Sequence, residues 1–122
     1  MTAASLSGQV CSELDGRITA AEAAVGADPG ASPVLAAVVA EFRRKFVKTR
    51  PAVEGEAGPA QREAVVELEQ AADSTKYAAL ADPGASTATK LSVVAAHDTI
   101  CWFKATGTLL DRQHIEPDPL SS

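Results

Sequence analysis

The sequence predicts an all-α protein, an up-down-up-down four-helix bundle made of two duplicated helical hairpins. Three observations support this prediction. The hexapeptide Ala-Asp-Pro-Gly-Ala-Ser occurs at residues 27–32 and again at residues 81–86. Apolar residues recur at helical spacing on both sides of each copy. The chain is also rich in alanine, the best helix former, and only 4% of its 122 residues are aromatic, which favours slim, closely packed helices.

Each copy of the hexapeptide has the chemistry of a corner between two helices. Proline cannot continue the preceding helix, and glycine tolerates the backbone angles of a reversal. Ser32 then stands at an N-cap position, with Pro33 at the first helical position, and Ser86 with Thr87 offers the same cap in the second copy. Because short corners make consecutive helices antiparallel, we expect the up-down-up-down order.

The first hairpin is predicted over residues 7–50. Its first helix runs from about Ser7 to Val25, with apolar residues three and four apart along one seam. That seam consists of Cys11, Leu14, Ile18, Ala21 and Val25. The second helix begins at Pro33 and is expected to end at Arg50, before Pro51. Its inward residues are Leu35, Val38, Val39, Phe42 and Phe46.

The second hairpin is predicted over residues 59–105, after a loop at residues 51–58 in which proline, glycine and two glutamates leave little to bury. Its first helix runs from Pro59 to about Ala81. Moving the seam of the first helix by 54 residues gives Val65, Leu68, Ala72, Thr75 and Ala79. This correspondence favours a duplication, although two alanine-rich hairpins with the same corner would also be similar through composition alone.

The fourth helix, predicted from Thr87 to about Ala105, is apolar around most of its circumference. One face carries Val93, Ala96, Ile100 and Phe103 toward the bundle. The nearly opposite face carries Leu91, Ala95 and Trp102. A helix with two apolar faces needs more neighbours than one side of a bundle supplies.

Two arrangements would cover that second face. Residues 1–107 are predicted as the bundle and residues 108–122 as a C-terminal tail. Either the tail folds back on the fourth helix through Leu109, Leu110 and Ile115, or another chain packs there.

The bulk properties exclude several classes of protein. No apolar run approaches the roughly twenty residues that a bilayer requires, and the first residues lack the features of a signal peptide. A net charge of −5 argues against nonspecific nucleic-acid binding. We therefore expect a cytoplasmic protein without a membrane contact, and nucleic acid is disfavoured as its partner.

The leading hypothesis is an interaction protein. The sequence has no glycine-rich phosphate loop, no metal-ligand spacing and no catalytic triad motif, which disfavours an enzyme and predicts neither catalytic residues nor a cofactor. We expect the chain to form a homo-oligomer, or to dock a protein partner, through Leu91, Ala95 and Trp102.

A first alternative is binding of nucleic acid or an anionic ligand by the basic end of the second helix. Its residues are Arg43, Arg44, Lys45, Lys48 and Arg50. These residues could instead have a purely structural role. Cations are stabilised at a helix C-terminus, and here they would also pack against the acidic face of the third helix. The carboxylates of that face, Glu63, Glu67 and Asp73, fall outside the seam and are predicted to be solvated.

A second alternative is a small enzyme or ligand pocket around His97 and Cys101. Cys11 and Cys101 are predicted at the same depth on neighbouring helices, so that their sulfurs could lie close together. They are interpreted as two small buried residues, as a disulfide, or as ligands of a metal together with His97. Because structural zinc takes four ligands and this set has three, no metal site is predicted.

Overall fold

The computed structural model describes residues 6–115, with side chains described for residues 6–106. These residues form four helices and no strand. The helices are α1 (Leu6–Ala27), α2 (Pro33–Val53), α3 (Pro59–Ala81) and α4 (Thr87–Ile115). The predicted all-α fold of four helices is confirmed.

The helices pack as a ring. α1 contacts α2 and α4, and α3 contacts α2 and α4, whereas the diagonal pairs within the described range do not touch. This is the packing of a bundle that closes between its first and last helices. The up-and-down order and the duplication stay predictions. None of the helices in the described part has both the length and the apolar content that crossing a membrane requires.

The predicted seams form the core. The largest fully buried side chains are Phe42, Phe46, Leu14, Ile18, Leu35, Leu68 and Ile100. Burying each such side chain contributes roughly 1.5–3 kcal/mol. A second, smaller cluster lies near the hexapeptides and includes Val25, Val39 and Val93. The apolar periodicity therefore identified the inward faces of all four helices.

Both hexapeptides cap the helix that follows them. Ser32 Oγ accepts a hydrogen bond of 3.2 Å from Leu35 N, with Pro33 at the first helical position. Ser86 Oγ accepts one of 3.2 Å from Thr89 N. An N-cap of this kind satisfies a backbone donor that the helix itself leaves unpaired. The two predicted N-caps are confirmed.

The two corners are also bonded to each other, and they are equivalent. Asp28 Oδ2 accepts a hydrogen bond of 2.8 Å from Ser86 N. Asp82 Oδ2 accepts one of 2.8 Å from Ser32 N. Each aspartate therefore binds the capping serine of the opposite corner and ties the two hairpins together at this end.

The glycines of the corners are required by close approach. Neither Gly30 nor Gly84 has a positive φ, so the expected need for unusual backbone angles is wrong. Instead the two backbones touch: a Cβ atom on Gly30 would overlap the carbonyl oxygen of Gly84, and a Cβ on Gly84 would overlap that of Gly30. Any side chain at either position would push the corners apart.

α2 is longer than predicted. It continues through Pro51 to Val53, so its predicted end at Arg50 is wrong and the loop shortens to residues 54–58. The extra turn buries Val53 completely, and Gln61 Nε2 donates a hydrogen bond of 2.8 Å to the Val53 carbonyl. Burial of this side chain offsets the backbone hydrogen bond that Pro51 cannot donate.

α4 is also longer than predicted. Its backbone remains helical to Ile115, beyond the predicted end near Ala105 and through part of the predicted tail. The side chains of Leu109, Leu110 and Ile115 lie outside those that the structure describes, and so do residues 116–122. Because a continuous helix cannot turn back on its own earlier turns, the predicted fold-back through Leu109, Leu110 and Ile115 is wrong.

Candidate functional site

Two pairs of polar side chains face each other between α3 and α4. Glu69 and Asp73 lie four residues apart on α3, and His97 and Cys101 lie four residues apart on α4. Because this spacing places both members of a pair on one helix face, the pairs meet across the interface. We refer to these four residues as the α3–α4 cluster.

The contacts within the α3–α4 cluster are short. His97 Nε2 lies 2.8 Å from Asp73 Oδ1 and 3.4 Å from Cys101 Sγ. Cys101 Sγ lies 3.7 Å from Glu69 Oε2. The candidate ligand atoms of Asp73, His97 and Cys101 all lie within 4.8 Å of one another. Nitrogen, sulfur and oxygen atoms therefore converge on one point.

Further charged side chains surround this point. Asp98 Oδ1 lies 3.0 Å from His97 Nδ1, and the His97 side chain is only 12% exposed. Lys104 Nζ donates a hydrogen bond of 2.8 Å to Glu69 Oε1. His97 thus lies between two carboxylates, one at each ring nitrogen.

The surroundings of Cys101 suppress its reactivity. Burial, followed by the negative charges of Glu69 and Asp73, raises the pKa of the Cys101 thiol to about 11. Because the thiolate is the nucleophilic form, a thiol with this pKa is protonated and weakly reactive at neutral pH. The geometry therefore offers a set of ligands and does not offer an activated cysteine nucleophile.

The two cysteines occupy different environments. Both are free thiols; Cys11 is buried in the core, and Cys101 is half-buried. Burial, and then the charge of Glu54, raises the pKa of Cys11 to about 11 as well. The side chains that surround the Cys101 sulfur come from α3 and from its own helix. The expected proximity of the Cys11 sulfur to the Cys101 sulfur stays a prediction.

The α1 side of the basic end of α2 is neutralised by carboxylates. Arg43 binds Asp15 at 2.6 Å and Glu22 at 3.0 Å. Arg50 binds Glu54 at 3.1 Å and lies 3.5 Å from Asp15. Both guanidinium groups also lie over the ring of the buried Phe46. These arginines are thus held by intramolecular contacts.

The other basic residues of α2 are paired too. Lys45 and Lys48 both bind Glu67 of α3, at 3.0 and 2.8 Å, and Arg44 pairs with Glu41 on its own helix. Each of these cations therefore already has a carboxylate partner within the chain. The expected contact with α3 is thus made by Lys45 and Lys48, whereas Arg44 pairs on its own helix and only Arg50 lies in the last turn of α2.

The three carboxylates expected on a solvated face of α3 differ from one another. Glu63 is exposed, as expected. Glu67 instead is half-buried and bridges two lysines, whereas Asp73 is exposed, as expected, and also contacts His97. A carboxylate outside an apolar seam can thus still lie at an interface between helices.

The predicted partner surface lies on the outside of the bundle. Leu91 is 64% exposed and Trp102 is 55% exposed, whereas Ala95 between them is half-buried. The opposite face of α4 is buried at Val93, Ala96, Ile100 and Phe103. Within the described chain, α4 therefore leaves an indole and a leucine largely in water.

No protein family, curated protein or solved structure matches this chain. Only the chemistry of the described side chains therefore bears on what the protein does. The sequence analysis missed Glu69 and Asp73 as companions of His97. A signal was available in the sequence: Glu69 and Asp73, like His97 and Cys101, lie four residues apart, and the two pairs lie on consecutive helices that pack together.

Proposed function

We propose that this protein is a small helical interaction protein that self-associates through the outer face of α4. The supporting observation is the exposure of Leu91 and Trp102 on one side of this helix. Eleven residues separate them, which is close to three helical turns, so both side chains leave the helix in nearly the same direction. Burying such side chains would contribute roughly 1.5–3 kcal/mol each.

The partner that we propose is a second copy of the chain. A twofold interface uses one surface twice and must therefore be complementary to itself. If two α4 helices pack antiparallel about a point midway between Leu91 and Trp102, each indole meets the leucine of the other copy. Ala95, near that midpoint, has a small side chain that lets the helices approach closely. The same two residues, Leu91 and Trp102, thus form the contact twice, once on each side of the twofold axis.

The proposal extends to topology and location. We infer two duplicated hairpins in up-down-up-down order, supported by the equivalent roles of Asp28 and Asp82 and of Ser32 and Ser86. We also infer a cytoplasmic location, supported by the two free thiols, because reducing compartments keep cysteines unpaired.

Light scattering after gel filtration tests the self-association. We expect the mass of the wild-type chain to be twice 12.5 kDa at micromolar concentration. Trp102→Asp should give the mass of one chain with an unchanged helical circular dichroism spectrum, because a buried carboxylate without a partner opposes association.

Tyr77→Asp is the matched control for this experiment. Tyr77 is an aromatic residue on α3 and is 78% exposed, so the same substitution there should leave the dimer intact. A wild-type chain that remains monomeric at all concentrations contradicts self-association. A Trp102→Asp variant that remains dimeric shows that another surface is used.

A further inference from the structure

We propose that the α3–α4 cluster binds one zinc-like divalent cation, with Asp73, His97 and Cys101 as the ligands that already lie together and Glu69, beside the Cys101 sulfur, completing the set after a movement of its side chain. This inference is independent of self-association. Imidazole nitrogen, cysteine sulfur and carboxylate oxygen are the donor atoms that zinc takes in proteins, and a closed site holds four of them. Two ligands come from each helix, so the packing of α3 on α4 assembles the set.

The distances among Asp73, His97 and Cys101 fit a tetrahedral ion, whereas the Glu69 carboxylate must move to reach the same point. Zinc bonds of about 2.0–2.3 Å at tetrahedral angles place neighbouring ligand atoms about 3.5 Å apart. The observed separations are 3.4 Å from His97 Nε2 to Cys101 Sγ and 3.7 Å from Cys101 Sγ to Glu69 Oε2. The 2.8 Å between His97 Nε2 and Asp73 Oδ1 must widen by about half an ångström. Asp73 is exposed and can move by that amount.

Asp98 orients the histidine for this role. Its Oδ1 lies 3.0 Å from His97 Nδ1. When that nitrogen carries the hydrogen and donates it to Asp98, Nε2 keeps its lone pair and points toward Cys101 and Asp73. A carboxylate behind the metal-binding histidine is the usual way in which proteins fix the tautomer and the ring orientation.

The charges of the α3–α4 cluster also favour a cation. The carboxylates of Glu69 and Asp73 lie beside Cys101 and His97, and that of Asp98 lies beside His97, so negative charge is concentrated around the proposed ion. A bound dication compensates this negative charge. Binding breaks the S–H bond, forms a metal–sulfur bond and releases one proton to solvent. With Lys104 beside Glu69, the charges of the three anionic ligands, the lysine and the ion sum to zero.

The ligand types select the kind of metal. Magnesium and calcium require about six or more oxygen ligands, whereas this set contains one nitrogen and one sulfur donor. Borderline ions such as zinc accept thiolate, imidazole and carboxylate together. We therefore expect zinc to bind in the presence of millimolar magnesium.

Isothermal titration of the untagged, reduced chain with zinc chloride, after removal of metal by a chelator, tests the proposal. We expect one zinc per chain and the release of one proton, which appears as a dependence of the measured heat on the buffer. Asp98→Asn should weaken binding by roughly ten- to a hundredfold, because it acts through the histidine. Cys101→Ser and His97→Ala should each weaken it further.

Cys11→Ala is the matched control, since it removes the other cysteine and should leave the stoichiometry at one. Neither His97 nor Cys101 belongs to the buried core, so both variants should keep the helical circular dichroism spectrum of the wild type. The proposal is overturned if the wild-type chain binds no zinc. It is equally overturned if Cys101→Ser and His97→Ala bind zinc as tightly as the wild type does.

Discussion

Carboxylates have opposite effects in two regions of this molecule. At the corners, Asp28 accepts hydrogen bonds from the backbone N–H groups of Ser86 and Gly30 and from the Thr89 hydroxyl. These donors, with the Ser86 N–H first, lower the pKa of Asp28 to about 2. The Ser32 N–H is the main cause of the lowered pKa of Asp82. The corner carboxylates are stabilised as anions and hold the bundle together.

At the α3–α4 cluster, two carboxylates instead lie beside a thiol, whose anionic form their negative charge disfavours. Glu69 and Asp73 lie beside the Cys101 thiol and help to raise its pKa to about 11. Lys104 compensates part of this charge. The comparison teaches that the neighbours of a carboxylate indicate its role. Backbone donors indicate a structural role, whereas a nearby thiol and imidazole indicate a capacity to bind a cation.

The largest expected effect is at the corner. Gly30→Ala places a Cβ atom against the backbone carbonyl of Gly84, which cannot rotate away as a side chain would. We expect a loss of about 1–3 kcal/mol in the free energy of unfolding, measured by urea denaturation. Zinc affinity should not change while the variant is folded, because the corner and the cluster are separate.

Gly16→Ala is the control for that substitution. Gly16 lies within α1, and nothing lies within 4 Å of an added Cβ there. Alanine should therefore stabilise the protein by about 0.5–1 kcal/mol through its higher helix propensity. Equal effects of the two substitutions would contradict the close approach of the corners.

A smaller effect is expected from acid. Because the pKa of Asp28 is lowered from 3.8 to about 2 on folding, its contribution to stability is complete above about pH 5 and is lost progressively as the pH falls to about 1. Asp28→Asn should lose less stability than the wild type over this range, since it has no carboxylate to protonate. Urea denaturation at several pH values measures the difference, and parallel curves for the two proteins would contradict it.

Local patterns were sufficient to predict much of the fold. The buried seams follow from apolar residues three and four apart, and the N-caps of α2 and α4 follow from the serine before each of these two helices. The end of α2 was missed because Pro51 signals a helix end locally, whereas the burial of Val53 depends on tertiary packing.

The features that depend on two distant segments were not predicted. The reciprocal bonds of Asp28 and Asp82 join corners 54 residues apart, and the repeat alone did not show that they touch. The α3–α4 cluster depends on the rotation of two helices about their axes. Periodicity placed Asp73 outside the seam, and only the packed structure shows that His97 lies opposite it.

The most direct test of the contrast between the two regions is the absorption spectrum of the chain titrated with cobalt(II), which replaces zinc in similar geometry. We predict a near-ultraviolet band from cobalt–thiolate bonding that saturates at one cobalt per chain. The band should persist in Cys11→Ala and disappear in Cys101→Ser. A wild-type spectrum equal to that of cobalt in water, or an undiminished band in Cys101→Ser, would contradict the assignment of the α3–α4 cluster as a cation site.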